Sequence, residues 1–447
     1  MLEKPSKFLL IDSRTIIAPA SASGRGGISV IRMSGPLSKK IAKEMCGELA
    51  EPWRFKKCNI TSNNSSLIDV GMVVFFKSPY SYTGEDIVEF HCHGNPMIVN
   101  LIIENALVLG AVVAEPGEFT KKAFLNDKID LAQAESVADL INAQSESAII
   151  AANSSLSGNF SKQVNDILDE LTEARVFVEA NIDFPDEDID RAHMENLNER
   201  LIKLLGVVSG LLTSVQDGMK LREGYSVAIV GPPNAGKSTL LNLLARERVA
   251  ITSDIEGTTR DLVRVPVNIA GLVIEFIDTA GIREDPENSI EEEGISKSKE
   301  VINKSNITLV VQDSTSVKPF NVELGESIVV MNKSDLMKES QPNDKNAFYV
   351  SSVSGEGMTE LLGELIKRLE VDEGGETVFL SRKRHEECLI KGRDFIDESL
   401  EGLRQDLGLE LIAESLKESH NALGEILRPM SSDDLLGEIF SEFCIGK

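Results

Sequence analysis

A chain of 447 residues with 42% hydrophobic residues is too long for one core, and about three domains is the natural expectation. Its formal charge of −26 argues against a protein that holds nucleic acid unaided, because such a face would be basic and only Lys121-Lys122 and Arg382-Lys383-Arg384 stand out. Short, interrupted apolar runs predict no membrane span, the N-terminus lacks a signal-like core, and five scattered cysteines without a C-x-x-C pair suit a reducing cytoplasm.

Mixed α and β patterning opens the chain. Thr15 to Pro19 reads as a strand, and the Ser23 to Gly27 loop leads into a second strand with Ile28, Val30 and Arg32 on one face. Leu37 to Cys46 reads as a short helix. Ser65 to Phe76 and Asp86 to His93 read as strands separated by the turn signal Ser81 to Asp86, and Pro96 to Leu109 as a helix. His91 and His93 share a strand face, but with no third ligand in view they read as ordinary side chains rather than a metal pair.

From Thr120 the apolar spacing becomes helical. Leu131, Ala134, Val137, Ala138, Leu140 and Ile141, resumed from Ile149 to Val178, predict a pair of long amphipathic helices in a bundle. An acidic loop from Phe184 to Asp190 precedes another helix, Met194 to Leu212. Much later, after a flexible Asp372 to Glu376 linker, helical spacing returns from Cys388 to Leu427. Ser432, Asp433 and Asp434 cap a last short helix with the stripe Leu435, Leu436, Ile439 and Phe440.

Between these helical parts lies the most specific signal. The buried-strand pattern Tyr225 to Val230 breaks into Gly231-Pro-Pro-Asn234-Ala235-Gly236-Lys237-Ser238, which fits G-x-x-x-x-G-K-[ST], and Thr239 continues into a helix. Successive loop N–H groups and the helix dipole suit phosphate; Lys237 would reach the β- and γ-phosphates, and Ser238 would ligate Mg²⁺. Downstream come Ser253-Asp254-Ile255-Glu256-Gly257-Thr258-Thr259, a switch-like loop, and Asp278-Thr279-Ala280-Gly281 at a strand end. Asn332-Lys333-Ser334-Asp335 and Ser351-Ser352-Val353 each follow a further strand. In this order the segments resemble the boxes of translation-factor-like GTPases, in which Asp335 would accept from guanine N1 and N2. Adenine cannot match that contact, so the reading is GTP over ATP.

The runs Gly24 to Gly35, Tyr82 to Glu89, His93-Gly94 and Pro116 to Glu135 extend a resemblance over essentially the whole chain. It is identified as a member of the MnmE (TrmE) family of tRNA-modification GTPases. The resemblance implies a multidomain α/β protein. Residues 1–120 would form an α+β, aminomethyltransferase-like domain for folate binding and dimerisation. An α-helical bundle would come from 121–220 and 373–447, with a Ras-like P-loop GTPase domain, 221–372, inserted between them. Arg32, Glu89, Lys128 and Lys447 would contact a tetrahydrofolate derivative (5-formyl or 5,10-methylene). Glu89 can pair with pterin N–H donors, while the cations offset ligand carboxylates. Read without the family, each is a solvated surface charge. Gly94-Asn95 departs from the family's Gly-Gly and could crowd a close backbone approach. Cys444, opening the Cys-Ile-Gly-Lys447 tail, reads as a buried thiol or as a redox or nucleophilic group.

Ile282 stands where Ras-like enzymes place a water-orienting glutamine, so the role passes by resemblance to Glu291 of Glu291-Glu-Glu-Gly294-Ile295, with Glu292 and Glu293 as neighbouring competitors. Asn234, Ser253, Ile255 and Thr258 resemble a K⁺ site, and Ser238 with Thr259 would hold Mg²⁺. The implied activity is K⁺-stimulated GTP hydrolysis by a cytoplasmic homodimer that acts on tRNA with an FAD-containing MnmG (GidA)-type partner, modifying C5 of the wobble uridine. The rival is a regulatory or ribosome-assembly GTPase without one-carbon chemistry.

Overall fold

The computed structural model describes residues 14–183, 191–248, 263–278, 302, 304–316, 326–337, 347–369, 379–405, 407–429, 433–441, 443 and 446–447. The chain divides into two compact units, Met1–Ala138 with Leu156–Phe177 and Leu416–Lys447, and Asp139–Ser155 with Val178–Ser415.

Period-two patterning builds the first unit. Strands β1 (Ile16–Pro19), β2 (Gly26–Ser34), β3 (Lys56–Thr61), β4 (Leu67–Phe76), β5 (Ile87–Gly94) and β6 (Val112–Val113) form one sheet in the order β3-β4-β5-β2-β1-β6. Helices α1 (Ser38–Cys46) and α2 (Pro96–Val108) pack on it, and Ile31, Met33, Val73, Phe75, Val88 and Phe90 fill the core beneath them. Alternation therefore sends Arg32, Glu89 and His91 to the other face. Strand β3 was not legible in the sequence. It is an edge strand whose buried positions are Cys58 and Ile60, so its remaining residues could stay polar.

Helix α3 (Glu118–Leu125) follows Gly117, whose left-handed backbone sits so close to Phe440 that a Cβ would lie 2.6 Å from the Phe440 carbonyl. The expected pair of long helices is instead three: α4 (Leu131–Asn142), α5 (Glu146–Leu156) and α6 (Asn159–Asp183). Ser145 restarts the chain by accepting from the Ala148 N–H at 3.1 Å, and left-handed Gly158 divides α5 from α6.

In the second unit, α7 (Arg191–Glu223) outruns its predicted span and feeds directly into β7 (Tyr225–Val230). By length and composition alone α7 could cross a membrane, against the expectation from run lengths; one face of it, Leu201, Leu204, Val208, Leu211 and Val215, is buried in protein, while Ile202 and Val207 are exposed. With β8 (Val263–Ile269), β9 (Leu272–Asp278), β10 (Ile307–Asp313), β11 (Ser327–Asn332) and β12 (Ala347–Tyr349), β7 builds a sheet ordered β12-β11-β10-β7-β9-β8, parallel except for the β8 edge. Helices α8 (Lys237–Arg248) and α9 (Met358–Arg368) contribute Leu240, Leu241, Leu361 and Leu365 to its core. The helical stretch expected from Cys388 to Leu427 is two helices, α10 (Lys383–Arg404) and α11 (Leu409–Gly424), and α12 (Asp433–Ser441) is the last helix among the described residues. The acidic loop at 184–190, the 372–376 linker and Ser432 lie outside the described residues.

The chain enters and leaves the nucleotide-type sheet through one packed junction. α10 lies along α7, and any side chain at Gly218 would strike the Phe379 carbonyl. Asp139, buried at the end of α4, accepts at one oxygen from Arg222 Nε and Arg382 Nη2, both at 3.1 Å. Arg222 closes α7 and Arg382 is the N-cap of α10, so one carboxylate ties both connections. Removing it takes the shared carboxylate from a largely covered Arg382, 11% exposed, and from Arg222, 31% exposed. Asp139→Ala should therefore cost about 3 kcal/mol in urea unfolding; a change under about 0.5 kcal/mol, the size of an ordinary surface substitution, would contradict the clamp.

Candidate functional site

In a parallel sheet, crevices form outside the carboxyl ends of the strands, and the second unit gathers its motif residues there. β7 ends in the Gly231–Ser238 loop. Gly231 is left-handed, and a Cβ on it would strike the Val311 carbonyl of β10. Asn234 is also left-handed, with φ 64°. Gly236 is shielded by the Asn332 amide, which leaves no room for a side chain. These constraints curl the loop so that α8 begins at Lys237, presenting a helix N-terminus to whatever sits in the curl.

Lys237 Nζ donates to the Gly231 and Pro232 carbonyls at 2.8 and 3.0 Å. Burial pushes this ammonium below its ordinary pKa, and the Asp278 carboxylate partly offsets that. Ser238 Oγ donates to Asp278 Oδ2 at 3.1 Å, joining the helix start to the end of β9. A hydroxyl beside a buried carboxylate is an all-oxygen pair of the kind hard divalent cations take, so these residues fit Mg²⁺.

Asn332, at the end of β11, is fully buried and holds three loops together. Its Nδ2 donates to the Ala235 carbonyl at 2.9 Å, while its Oδ1 accepts from Ser352 N at 3.0 Å and Ser352 Oγ at 2.7 Å. The phosphate-type loop and the Ser351-Ser352-Val353 turn are thereby fixed to one side chain. Left-handed Lys333 begins a 3-10 turn, Ser334–Leu336, that leaves Asp335 exposed beside the loop. Asp313 was missed in the sequence, although it ends β10 in register with Asn332. It takes Lys333 Nζ at 2.6 Å, and Ser314 Oγ donates to the Lys333 carbonyl at 2.9 Å. Burial alone would raise the Asp313 carboxyl; hydrogen bonds from Lys333 and Thr315 overcome this and hold it below the usual range. Thr239 follows in α8, and Val353 is exposed at the turn. Ser253, Asp254, Ile255, Glu256, Gly257, Thr258, Thr259, Thr279, Ala280, Gly281, Glu291 and Cys444 lie outside the described residues.

In the first unit, Arg32 and Glu89 are directly opposed on β2 and β5, and Arg32 Nε donates to Glu89 Oε1 at 2.8 Å. Both side chains are largely covered, 18% and 14% exposed, which is unlike solvated surface charges. Tyr82 and Phe119 flank the guanidinium, with ring centroids 5.4 and 5.9 Å away. Neither ring was singled out from sequence, because both come from segments remote from Arg32. Tyr82 bonds Thr120 at 2.8 Å, and burial pushes its phenol up.

Lys128 does not meet the Arg32–Glu89 pair in the contacts described. Its Nζ donates to the Pro79 carbonyl at 3.0 Å, and its stem lies against Gly84. Lys447 is half-buried, and Gly446 packs against Pro19 and Ala20, where β1 runs beside the strand that carries Arg32. Asn95 caps α2 by accepting from Met97 N at 2.9 Å, which gives this departure from glycine a structural role. His93 is paired with Asp69, whose carboxylate takes its Nδ1 and backbone N–H, each at 2.8 Å. Among the described residues no group of three His, Cys, Asp or Glu side chains could hold a metal. A cavity of about 230 Å³ between α3 and α12, lined by Arg14, Lys121, Lys122 and Phe440, contains none of the expected site residues.

Two family descriptions match the chain: "MnmE helical domain" over residues 131–444 and "GTP-binding protein TrmE N-terminus" over 15–128. The tRNA modification GTPase MnmE of Legionella pneumophila subsp. pneumophila (strain Philadelphia 1) is 40% identical over 444 residues, covering 97% of this chain and 99% of that protein. Its namesake in Francisella tularensis subsp. holarctica (strain OSU18) is 41% identical over 448 residues, with the same coverage. Among solved structures, Era from Aquifex aeolicus bound to GDP·AlF4− is 27% identical over 38% of this chain and 66% of its own, with a TM-score of 0.26.

Two outcomes follow from the geometry. Asn332→Ala removes three buried hydrogen bonds, so GDP affinity should fall at least about 100-fold in a fluorescent-nucleotide titration; a loss under about threefold would contradict the bridging role. The folded pKa of Asp313 is depressed, so its contribution is present above the unfolded value near ~4 and lost as pH falls through the folded value. Stability measured by urea unfolding should lose this contribution only below about pH 4, and Asp313→Asn should flatten that acid limb. An unchanged limb would contradict it.

Proposed function

Because the chain belongs to the MnmE (TrmE) family of tRNA-modification GTPases, and is a GTP hydrolase acting in tRNA modification, we propose the finer chemistry that its two sites support. GTP occupies the crevice of the second unit. Lys237 leaves its carbonyl partners for the β- and γ-phosphates, and Asp335 reads the guanine edge. Ser238 and Thr259 would hold Mg²⁺, with Asp278 behind Ser238. Asn234, with oxygens of Ser253, Ile255 and Thr258, would hold K⁺. These ions supply positive charge where the transition state accumulates negative charge. Ile282 cannot orient water, so Glu291 takes that role.

The Arg32–Glu89 pair of the first unit recognises the pterin of a tetrahydrofolate derivative, 5-formyl or 5,10-methylene, with Lys128 and Lys447 completing the pocket. The observation that carries this reading is a covered ion pair, flanked by aromatics, on the sheet face opposite the helices. A pterin edge offers parallel N–H donors that suit Glu89. The four-part division drawn from the sequence follows the same reading, with residues 1–120 also forming the homodimer. Tetrahydrofolate supplies one carbon for C5 of a wobble uridine, and an MnmG (GidA)-type partner brings FAD. The partner also supplies much of the phosphate contact that a chain of charge −26 lacks. The protein works in the cytoplasm.

GTP hydrolysis should run at least about tenfold faster in KCl than in NaCl, a difference of the size one added transition-state charge contact provides; equal rates would remove the K⁺ site. Glu291→Ala should slow turnover by about 100-fold or more with GTP affinity kept, and near-normal turnover would move the role to a neighbouring glutamate. In equilibrium dialysis the protein should bind 5-formyltetrahydrofolate and Arg32→Ala should not. Binding unaffected by that change would favour a regulatory GTPase without one-carbon chemistry.

A further inference from the structure

β5 carries Glu89, His91 and His93 on one face. His93 is engaged by Asp69, but His91 points along the strand to the Arg32–Glu89 pair. Its Nε2 lies 3.5 Å from Glu89 Oε2, the oxygen that Arg32 leaves open. That nitrogen is buried and makes no hydrogen bond. Phe55 meets the ring edge to face at 4.9 Å between centroids. Val30 and Met72 stand opposite it on β2 and β4.

A carboxylate gripped at one oxygen still rotates about its last torsion, which is soft in glutamate. Recognition of two parallel N–H donors needs the plane of the carboxylate fixed, and each oxygen retains a lone pair for a ligand after one protein contact. We infer that His91 is a positioning residue of the folate pocket, acting through Glu89: its Nε2–H fixes Oε2 while Arg32 fixes Oε1, so that the carboxylate faces the pterin edge as a rigid pair of acceptors. The 3.5 Å separation closes to hydrogen-bonding distance as the pocket fills, in the way that such contacts tighten on a ligand. This inference rests on the folate reading above and extends it to a residue outside Arg32, Glu89, Lys128 and Lys447.

The test is the affinity of the full-length protein for 5-formyltetrahydrofolate in His91→Phe and His91→Gln, with far-UV circular dichroism as the fold control. Phe keeps the packing against Phe55 and Met72 but has no donor; Gln restores a donor near the same place. Affinity should fall about tenfold in His91→Phe, return to within about threefold of wild type in His91→Gln, and fall no further when His91→Phe is added to Glu89→Gln. Phe binding as well as wild type, or Gln as weakly as Phe, would overturn the inference. Binding lost in Arg32→Ala yet kept in His91→Phe would overturn it alone, whereas no binding by the wild-type protein would overturn the folate reading and this inference with it.

Discussion

One buried amide organises the nucleotide site. Asn332 spans from the Ala235 carbonyl to the Ser352 N–H and hydroxyl, so the Gly231–Ser238 loop, the turn that follows Asn332 and the Ser351–Val353 turn share a single anchor. The anchor works because β10 and β11 end level at Asp313 and Asn332, while the parallel β7 ends at Val230 opposite Val310, three residues earlier, so that the loop after β7 curls back beneath Asn332. Buried amide groups without partners are costly, and a side chain that satisfies both its oxygen and its nitrogen this way resists displacement. Around it, positive-φ Gly231 and Gly236 permit close approach to Val311 and to Asn332 itself, so the loop's shape is held by its own packing. Preorganisation of that kind lowers the entropy lost on binding.

The first unit uses a different device. There a charged pair is placed under cover, with Arg32 between two aromatic rings and Glu89 across the strand from it. Such a pair does little for stability after its desolvation is counted. It is better suited to presenting fixed charge to a ligand. The Asp139 clamp makes a related point in the second unit, where a buried carboxylate ties the helix entering the sheet domain to the helix leaving it.

Much of this was legible in the sequence, for physical reasons. Strand, glycine loop and helix at 225–244 are dictated by β-branched burial, positive-φ glycine and a helix N-terminus, and each came out where expected. Alternation placed Arg32 and Glu89 on strand faces, although their direct pairing needed the register of β2 against β5. Local signals failed where tertiary context governs. β3 is an edge strand that can afford lysine and asparagine; the break at Gly158 interrupts a helical period that continues on both sides; and Asp313, Asp139 and His91 gain meaning only from residues distant in sequence.

The proposed union in one chain of a GTPase crevice with a pocket for the one-carbon donor of wobble-uridine modification is open to a direct test. Mass-spectrometric nucleoside analysis of tRNA tests it most directly, in a strain lacking this chain and complemented either with the wild type or with Arg32→Ala. The C5 aminomethyl-type uridine should disappear in the deletion, return with the wild type and stay absent with Arg32→Ala. Full return of the modified nucleoside with Arg32→Ala would contradict it.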